Sequence, residues 1–168
     1  MSRKVAGRRA GNSGGLKAAA RGSVPARTPA GYSGTPLAKK LGVKDGQVTW
    51  RWKMPASLAA EIAASGVSSE LVKAPRAGLA MAHLFVTKKV ELADLLSRLR
   101  AVLAPDGVIW VSWPKKASGT ATDVTEDVVR EFCLPMGLVD IKVCAVDAVW
   151  SGLKLVIRKS ERVKQSSR

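Results

Sequence analysis

The groups best suited to chemistry crowd into one stretch, Trp113-Pro114-Lys115-Lys116-Ala117-Ser118-Gly119-Thr120-Ala121-Thr122-Asp123. Two adjacent ammonium groups, three hydroxyls and a permissive glycine lead there into a segment of helical spacing. Ammonium groups, backbone N–H groups and a helix dipole aimed the same way make an anion site. The competing reading is a surface loop with solvated lysines and an ordinary helix cap. The stretch is not the phosphate-binding GxxxxGK[ST] pattern, because both lysines precede its glycine. Asp123 and Asp147 offer a carboxylate pair, although a cap and a turn former account for them as well. Ser118 has no evident base.

His83 is the sole histidine and lies in the apolar run Leu79 to Val86. No carboxylate is placed in sequence to orient it, so a satisfied core imidazole is the better reading than a catalytic base. One histidine and two distant cysteines, Cys133 and Cys144, do not make a zinc site of the usual ligands. The cysteines read as small buried hydrophobes in a reducing compartment. No motif names a cofactor or a catalytic residue. The turn Lys53-Met54-Pro55-Ala56-Ser57 lacks the glycine that a dinucleotide or S-adenosylmethionine site needs for close backbone approach.

These residues must be held by elements, and hydrophobic period predicts them. Thr35 is expected to cap a short helix with Pro36 first, running to Leu41 and stopping at Gly42. Asp45-Gly46 turns the chain into a strand over Gln47 to Lys53, and Pro55 opens a helix that ends before Gly66. Glu70 to Lys73 fits a short edge strand. Leu79 to Val86 suits a buried strand. Thr87 is expected to cap a helix carrying Leu92, Leu95, Leu96, Leu99, Val102 and Leu103. Pro105-Asp106-Gly107 should turn the chain into a strand over Val108 to Trp113, covered on both faces.

Asp123 and Glu126 suggest a capping box for a helix with Val124, Val128, Val129 and Phe132, closed by Pro135 and Gly137. Two strands follow, one alternating through Val139, Ile141, Val143 and Ala145, the other from about Trp150 to Arg158. Alternating strands and helices imply parallel neighbours, and the last two strands, close in sequence, imply an antiparallel hairpin. The expected fold is therefore α/β, a mostly parallel sheet with flanking helices and a C-terminal antiparallel hairpin. It resembles the second half of a class I methyltransferase, a Rossmann-like fold, and such analogy does not fix function.

In such sheets ligands favour the carboxyl ends of the strands. That rim gathers Lys88 and Lys89, the loop from Trp113 to Asp123, and the turn from Asp147 to Trp150. The candidate ligand-binding residues are thus Lys88, Lys89, Trp113, Lys115, Lys116, Ser118, Gly119, Thr122, Asp123, Asp147 and Trp150. Trp113 or Trp150 would lay a flat ring over a ligand. Trp110 reads as core. Trp50 and Trp52 share one face of their strand, with Arg51 and Lys53 on the other. Half-buried packing competes there with stacking on single-stranded nucleic acid.

The chain has 168 residues and a formal charge of +15. That length predicts a single domain with core enough to fold without metals or disulfides. Nine lysines and arginines and no acid lie in residues 1–40, whereas residues 41–159 carry sixteen bases against twelve acids. The expected organisation is a disordered basic tail over 1–30, one α/β domain over 31–159, and a disordered basic end over 160–168. The tail either aids solubility or attracts polyanions. Its composition suits a transit peptide and a bacterial basic tail equally. No apolar run reaches the roughly 20 residues of a membrane span.

Gly31-Tyr32-Ser33-Gly34-Thr35-Pro36-Leu37-Ala38-Lys39-Lys40-Leu41-Gly42 is one of several unusual strings. Others are Trp110 to Gly119, Thr122-Asp123, and Asp140 to Asp147 followed by Trp150-Ser151-Gly152-Leu153-Lys154. Together they resemble a family of small bacterial proteins, domain-of-unknown-function family 3052, over residues 31–159. The resemblance implies a bacterial cytoplasmic protein and brings no activity, cofactor or site residue.

Three functions are consistent with these readings. The first is a binding or regulatory module for a small anionic metabolite, such as a nucleotide, at the sheet's carboxyl edge. The second is a nucleic-acid-associated protein acting through its tail, with weak, non-specific binding. The third is a degenerate methyltransferase-like enzyme. Neither a membrane partner nor an oligomeric state is implied.

Overall fold

The computed structural model describes residues 34–165, so the expected tail over 1–30 lies outside the described residues, as do 31–33 and 166–168. The elements run α1 (Leu37–Leu41), β1 (Val48–Trp52), α2 (Ala56–Ala64), β2 (Glu70–Leu71), β3 (Leu79–Phe85), α3 (Lys89–Val102) and β4 (Leu103–Pro114). After a 3-10 turn at Lys116–Ser118 come α4 (Glu126–Cys133), a second 3-10 turn at Leu134–Met136, β5 (Leu138–Ala145), β6 (Trp150–Ile157) and α5 (Lys159–Gln165).

All six strands form one sheet in the order β2-β1-β3-β4-β6-β5. The pairs β1–β2, β1–β3 and β3–β4 are parallel, while β6 is antiparallel to both neighbours. The hairpin is as expected, but β6 stands between β4 and β5, so those two are not the adjacent parallel strands that alternation suggested. Antiparallel to an antiparallel neighbour, β5 still points the same way as β4. The exits of β1, β3, β4 and β5 therefore share one rim with the start of β6.

Strand side chains alternate between two cores, as the pleat requires. On one face Leu92, Leu95, Leu96 and Leu99 of α3 and Val129 and Cys133 of α4 cover Leu84, Ile109, Val111 and Leu155. On the other, Leu37, Ala38 and Leu41 of α1 and Leu58 and Ile62 of α2 cover Met81, Phe85 and Trp110. Trp110 is fully buried, and its indole N–H donates to the Leu41 carbonyl at 2.9 Å.

Helix ends depart from expectation where tertiary partners take over. Pro36, not Thr35, precedes α1, because its carbonyl accepts the first helical bond from Lys40. Thr87 does not cap α3. Lys88 holds the cap position, and the acceptor is Asp123, whose Oδ1 takes the Lys89 N–H at 2.7 Å. Asp123 is thereby withdrawn from the expected capping box, and Thr125 caps α4 by accepting from the Val128 N–H. Pro105-Asp106-Gly107 is not a free turn but the irregular beginning of β4, where the register with β3 shifts. At the C-terminal side helical order continues through α5, past residue 159, anchored by the Arg162 guanidinium on the Ile157 carbonyl at 2.8 Å.

Candidate functional site

At the carboxyl rim, three loops are tied into one platform. The β4–α4 loop is fastened to the β3 exit by Thr122, whose hydroxyl donates to the Thr87 carbonyl at 2.8 Å, and by the Asp123 N–H on that carbonyl. With the Asp123 bond to Lys89 N–H, three hydrogen bonds fix the two loops together. On the other flank the Lys115 N–H donates to the Val149 carbonyl at 2.7 Å, joining the loop to the β5–β6 turn. Asp147 shapes that turn, its Oδ1 accepting the Val149 and Trp150 N–H groups at 2.8 and 2.7 Å.

The polar side chains of the loop divide into two groups. Ser118, Thr122, Asp123 and Asp147 are spent on the backbone. The Ser118 hydroxyl donates to the Lys115 carbonyl at 2.6 Å and accepts from Thr120 N–H. Gly119 closes the 3-10 turn at φ 72°, a left-handed conformation natural to glycine. Lys88, Lys89 and Lys116 are exposed and Lys115 half-buried, and none of the four pairs with a carboxylate among the described residues. Beside them a pocket of about 350 Å³ is lined by Trp113, Pro114, Lys115, Lys116, Thr122, Val124, Thr125, Glu126 and Ser151. Trp113 presents little to it, being buried in the α3–α4 core. Trp150 is half-buried and meets Phe85 edge-on, with ring centroids 5.0 Å apart.

The β1 exit is filled by side chains. Lys53 takes the left-handed conformation, φ 53°, the one described non-glycine residue that does. Its ammonium lies 2.7 Å from Glu91 Oε1 and 5.4 Å from the Trp52 ring, and the Trp52 indole N–H donates to that oxygen at 2.8 Å. Burial pushes the Glu91 carboxyl up, but the bonds from Lys53 and Trp52 outweigh it and leave it below its ordinary value. A lysine thus occupies the turn at which a nucleotide cradle uses glycine.

His83 is a core imidazole. Its Nε2 lies 2.8 Å from Ser112 Oγ, Phe85 and Trp110 flank the ring, and burial, with the Arg51 charge second, lowers it to about 3. Cys133 is fully buried and Cys144 half-buried, both unbridged. Among the described residues no cluster of His, Cys, Asp or Glu could hold a metal. No described helix is long and apolar enough to cross a membrane.

Sequence reasoning passed over two features. One is a pocket of about 470 Å³ between Trp50 and Trp52 of β1 and the Glu91, Asp94, Leu95, Arg98 stripe of α3. Its signal was the alternating tryptophan pair, read as packing, and indeed Trp50 is buried with its N–H on the Lys73 carbonyl. The other is a group of lysines around α1 that come from segments far apart in sequence.

The strand order and connections define a Rossmann-like α/β fold, the kind of fold found in class I methyltransferases. Among solved structures the chain is similar to an S-adenosylmethionine-dependent methyltransferase from Aquifex aeolicus, at 14% identity and TM-score 0.54, over 72% of this chain and 88% of that one. It is also similar to a magnesium protoporphyrin IX methyltransferase from Synechocystis PCC 6803, at 10% identity and TM-score 0.48, over 72% and 74%. A pericyclic reaction enzyme matches at 12% identity and TM-score 0.48, over 74% of this chain and 47% of that one, so the chain spans about half its length. No curated protein matches the chain. The family described as "Protein of unknown function (DUF3052)" matches residues 38–159, and the chain belongs to it.

Proposed function

We propose that this is a bacterial cytoplasmic binding or regulatory module, which takes a small phosphorylated or nucleotide-type anion at the carboxyl rim of its sheet. One observation carries the reading. Four lysines without carboxylate partners among the described residues, Lys88, Lys89, Lys115 and Lys116, stand on loops that the side chains of Ser118, Thr122, Asp123 and Asp147 hold through hydrogen bonds to the backbone. Rigid loops leave little ordering entropy to lose when a ligand binds. Lys115 and Lys116, beside the 350 Å³ pocket, supply the first contacts. Lys88 and Lys89 reinforce the field from the adjoining loop, and Ser118, Gly119, Thr122, Asp123 and Asp147 act by positioning. Trp150, at the start of β6, packs against Phe85 and lies outside the lining of this pocket.

The test is a thermal-shift titration with pyrophosphate, ATP and GTP against wild type and a Lys115→Ala/Lys116→Ala variant. Wild type should be stabilised by at least one of them and the variant much less. Equal shifts in both proteins, or none in either, overturn the reading.

A second reading, a degenerate methyltransferase, has the likeness to the Aquifex fold behind it. Against it stands the β1 exit, where Lys53, Trp52 and Glu91 take the space of a glycine turn. Calorimetric titration with S-adenosylmethionine separates the two, since heat of binding would favour the enzyme.

A further inference from the structure

A cationic surface, separate from the rim pocket, is built around the end of α1. Lys142 of β5 and Lys154 of β6 are direct cross-strand partners. Like charges placed opposite one another destabilise a sheet. Lys142 is exposed and Lys154 half-exposed on the sheet face beside the end of α1.

Other lysines converge there. The Lys142 ammonium donates to the Lys40 carbonyl at 3.2 Å, and the Lys40 ammonium donates to the Ala145 carbonyl at 2.9 Å. The Lys154 Nζ stands 4.0 Å from the position a side chain would take at Gly42, just after α1. Burial, followed by the charges of Lys142 and Lys44, lowers Lys154 from its ordinary value. Lys40, Lys142 and Lys115 lie within electrostatic reach of Cys144, so the cluster runs on toward the rim. None of Lys39, Lys44, Lys142 and Lys154 forms an ion pair among the described residues. The C-terminal carbonyls of α1 compensate part of this charge, but a helix of five residues has few to offer.

We propose that this face, carrying Lys39, Lys44, Lys142 and Lys154 beside the hollow lined by Thr35, Lys39, Lys40 and Lys142, binds the phosphate backbone of a nucleic acid. The charge is spread over two strands, a helix and the turn after it, a footprint wider than one small anion spans. It is also continuous in sequence with the chain's own basic segment, since Thr35 at its edge follows directly on residues 1–34, which carry seven lysines and arginines and no acid. Only a long polyanion uses both at once. A membrane surface would call for an amphipathic helix with a large apolar face, and the five residues of α1 bury theirs in the core.

The experiment uses the full chain and a fluorescein-labelled 20-nucleotide single strand and 20-base-pair duplex, with anisotropy read from 50 to 300 mM salt. Each phosphate contact contributes a slope of about 0.7–0.9 in log K against log salt. The Lys142→Ala/Lys154→Ala variant should therefore lose about 1.4–1.8 from that slope, and on the order of 10-fold in affinity at 100 mM salt. A Lys44→Ala/Lys154→Ala variant, which removes no hydrogen bond of the fold, should lose as much. Lys73→Ala, at the far edge of the sheet, should change neither slope nor affinity beyond one contact's worth. Unchanged slope and affinity in both double variants overturn the proposal, and so does binding that the variants lose only on anionic phosphatidylglycerol vesicles. The rim reading is tested by other residues, so either can fail alone.

Discussion

Replacing His83 with glutamine should flatten the acid side of the stability profile. The imidazole is fully buried between Phe85 and Trp110 against Ser112, and is lowered to about 3 by burial, with the Arg51 charge second. An unfolded chain takes up this proton near the ordinary 6.5, whereas the folded chain does not. Between the two values the unfolded state binds more protons, so stability is fully present above pH 6.5 and is lost as pH falls toward 3. Each pH unit well inside that window costs about 1.4 kcal/mol, and integration from pH 7.5 to 5 gives about 2 kcal/mol. Ordinary carboxylates titrate mostly below this interval. Against a total stability of roughly 5–15 kcal/mol the change is readily measured. Urea unfolding at pH 7.5, 6.5, 5.75 and 5 gives the profile for wild type and for His83→Gln, which keeps a polar end near Ser112. Wild type should lose about 2 kcal/mol and the variant only a few tenths. Parallel profiles would refute a buried, neutral His83.

Asp123→Ala should destabilise the protein by about 1 kcal/mol through loss of the α3 cap, and Asp123→Asn by much less, as read by urea unfolding. Gly152→Ala places a methyl 2.9 Å from Val146 Cγ2 and 3.4 Å from the Trp110 ring, so it should cost about 1–3 kcal/mol and lower the melting temperature. Burial, with the Asp140 charge second, pushes the Cys133 thiol up to about 11. Native protein treated with iodoacetamide at pH 8 should therefore remain unmodified at Cys133 by mass spectrometry, and rapid alkylation there would contradict the packing of α4.

What could be read from residues alone was what local physics decides. The leucine stripe of α3 is visible because Leu92, Leu95, Leu96 and Leu99 recur at helical steps, whatever they face. The alternation in β1, the apolar run of β3 and the proximity of β5 to β6 are equally local, and they suffice for an α/β sheet whose exits share a rim. The candidate loop was legible for the same reason, since Lys115, Lys116 and Ser118 are neighbours in the chain.

Tertiary structure decided which partners those groups meet. Nothing in the sequence says that β6 inserts between β4 and β5, because a hairpin can pair on either side of its first strand. That insertion sets Val149 against Lys115 and makes β5 the sheet edge, with Lys142 opposite Lys154 of β6. Asp123 looked like the cap of the helix that follows it and instead caps the one 34 residues earlier. A side chain bonds whatever donor the assembled sheet brings within 3 Å, and separation along the chain has no part in that choice.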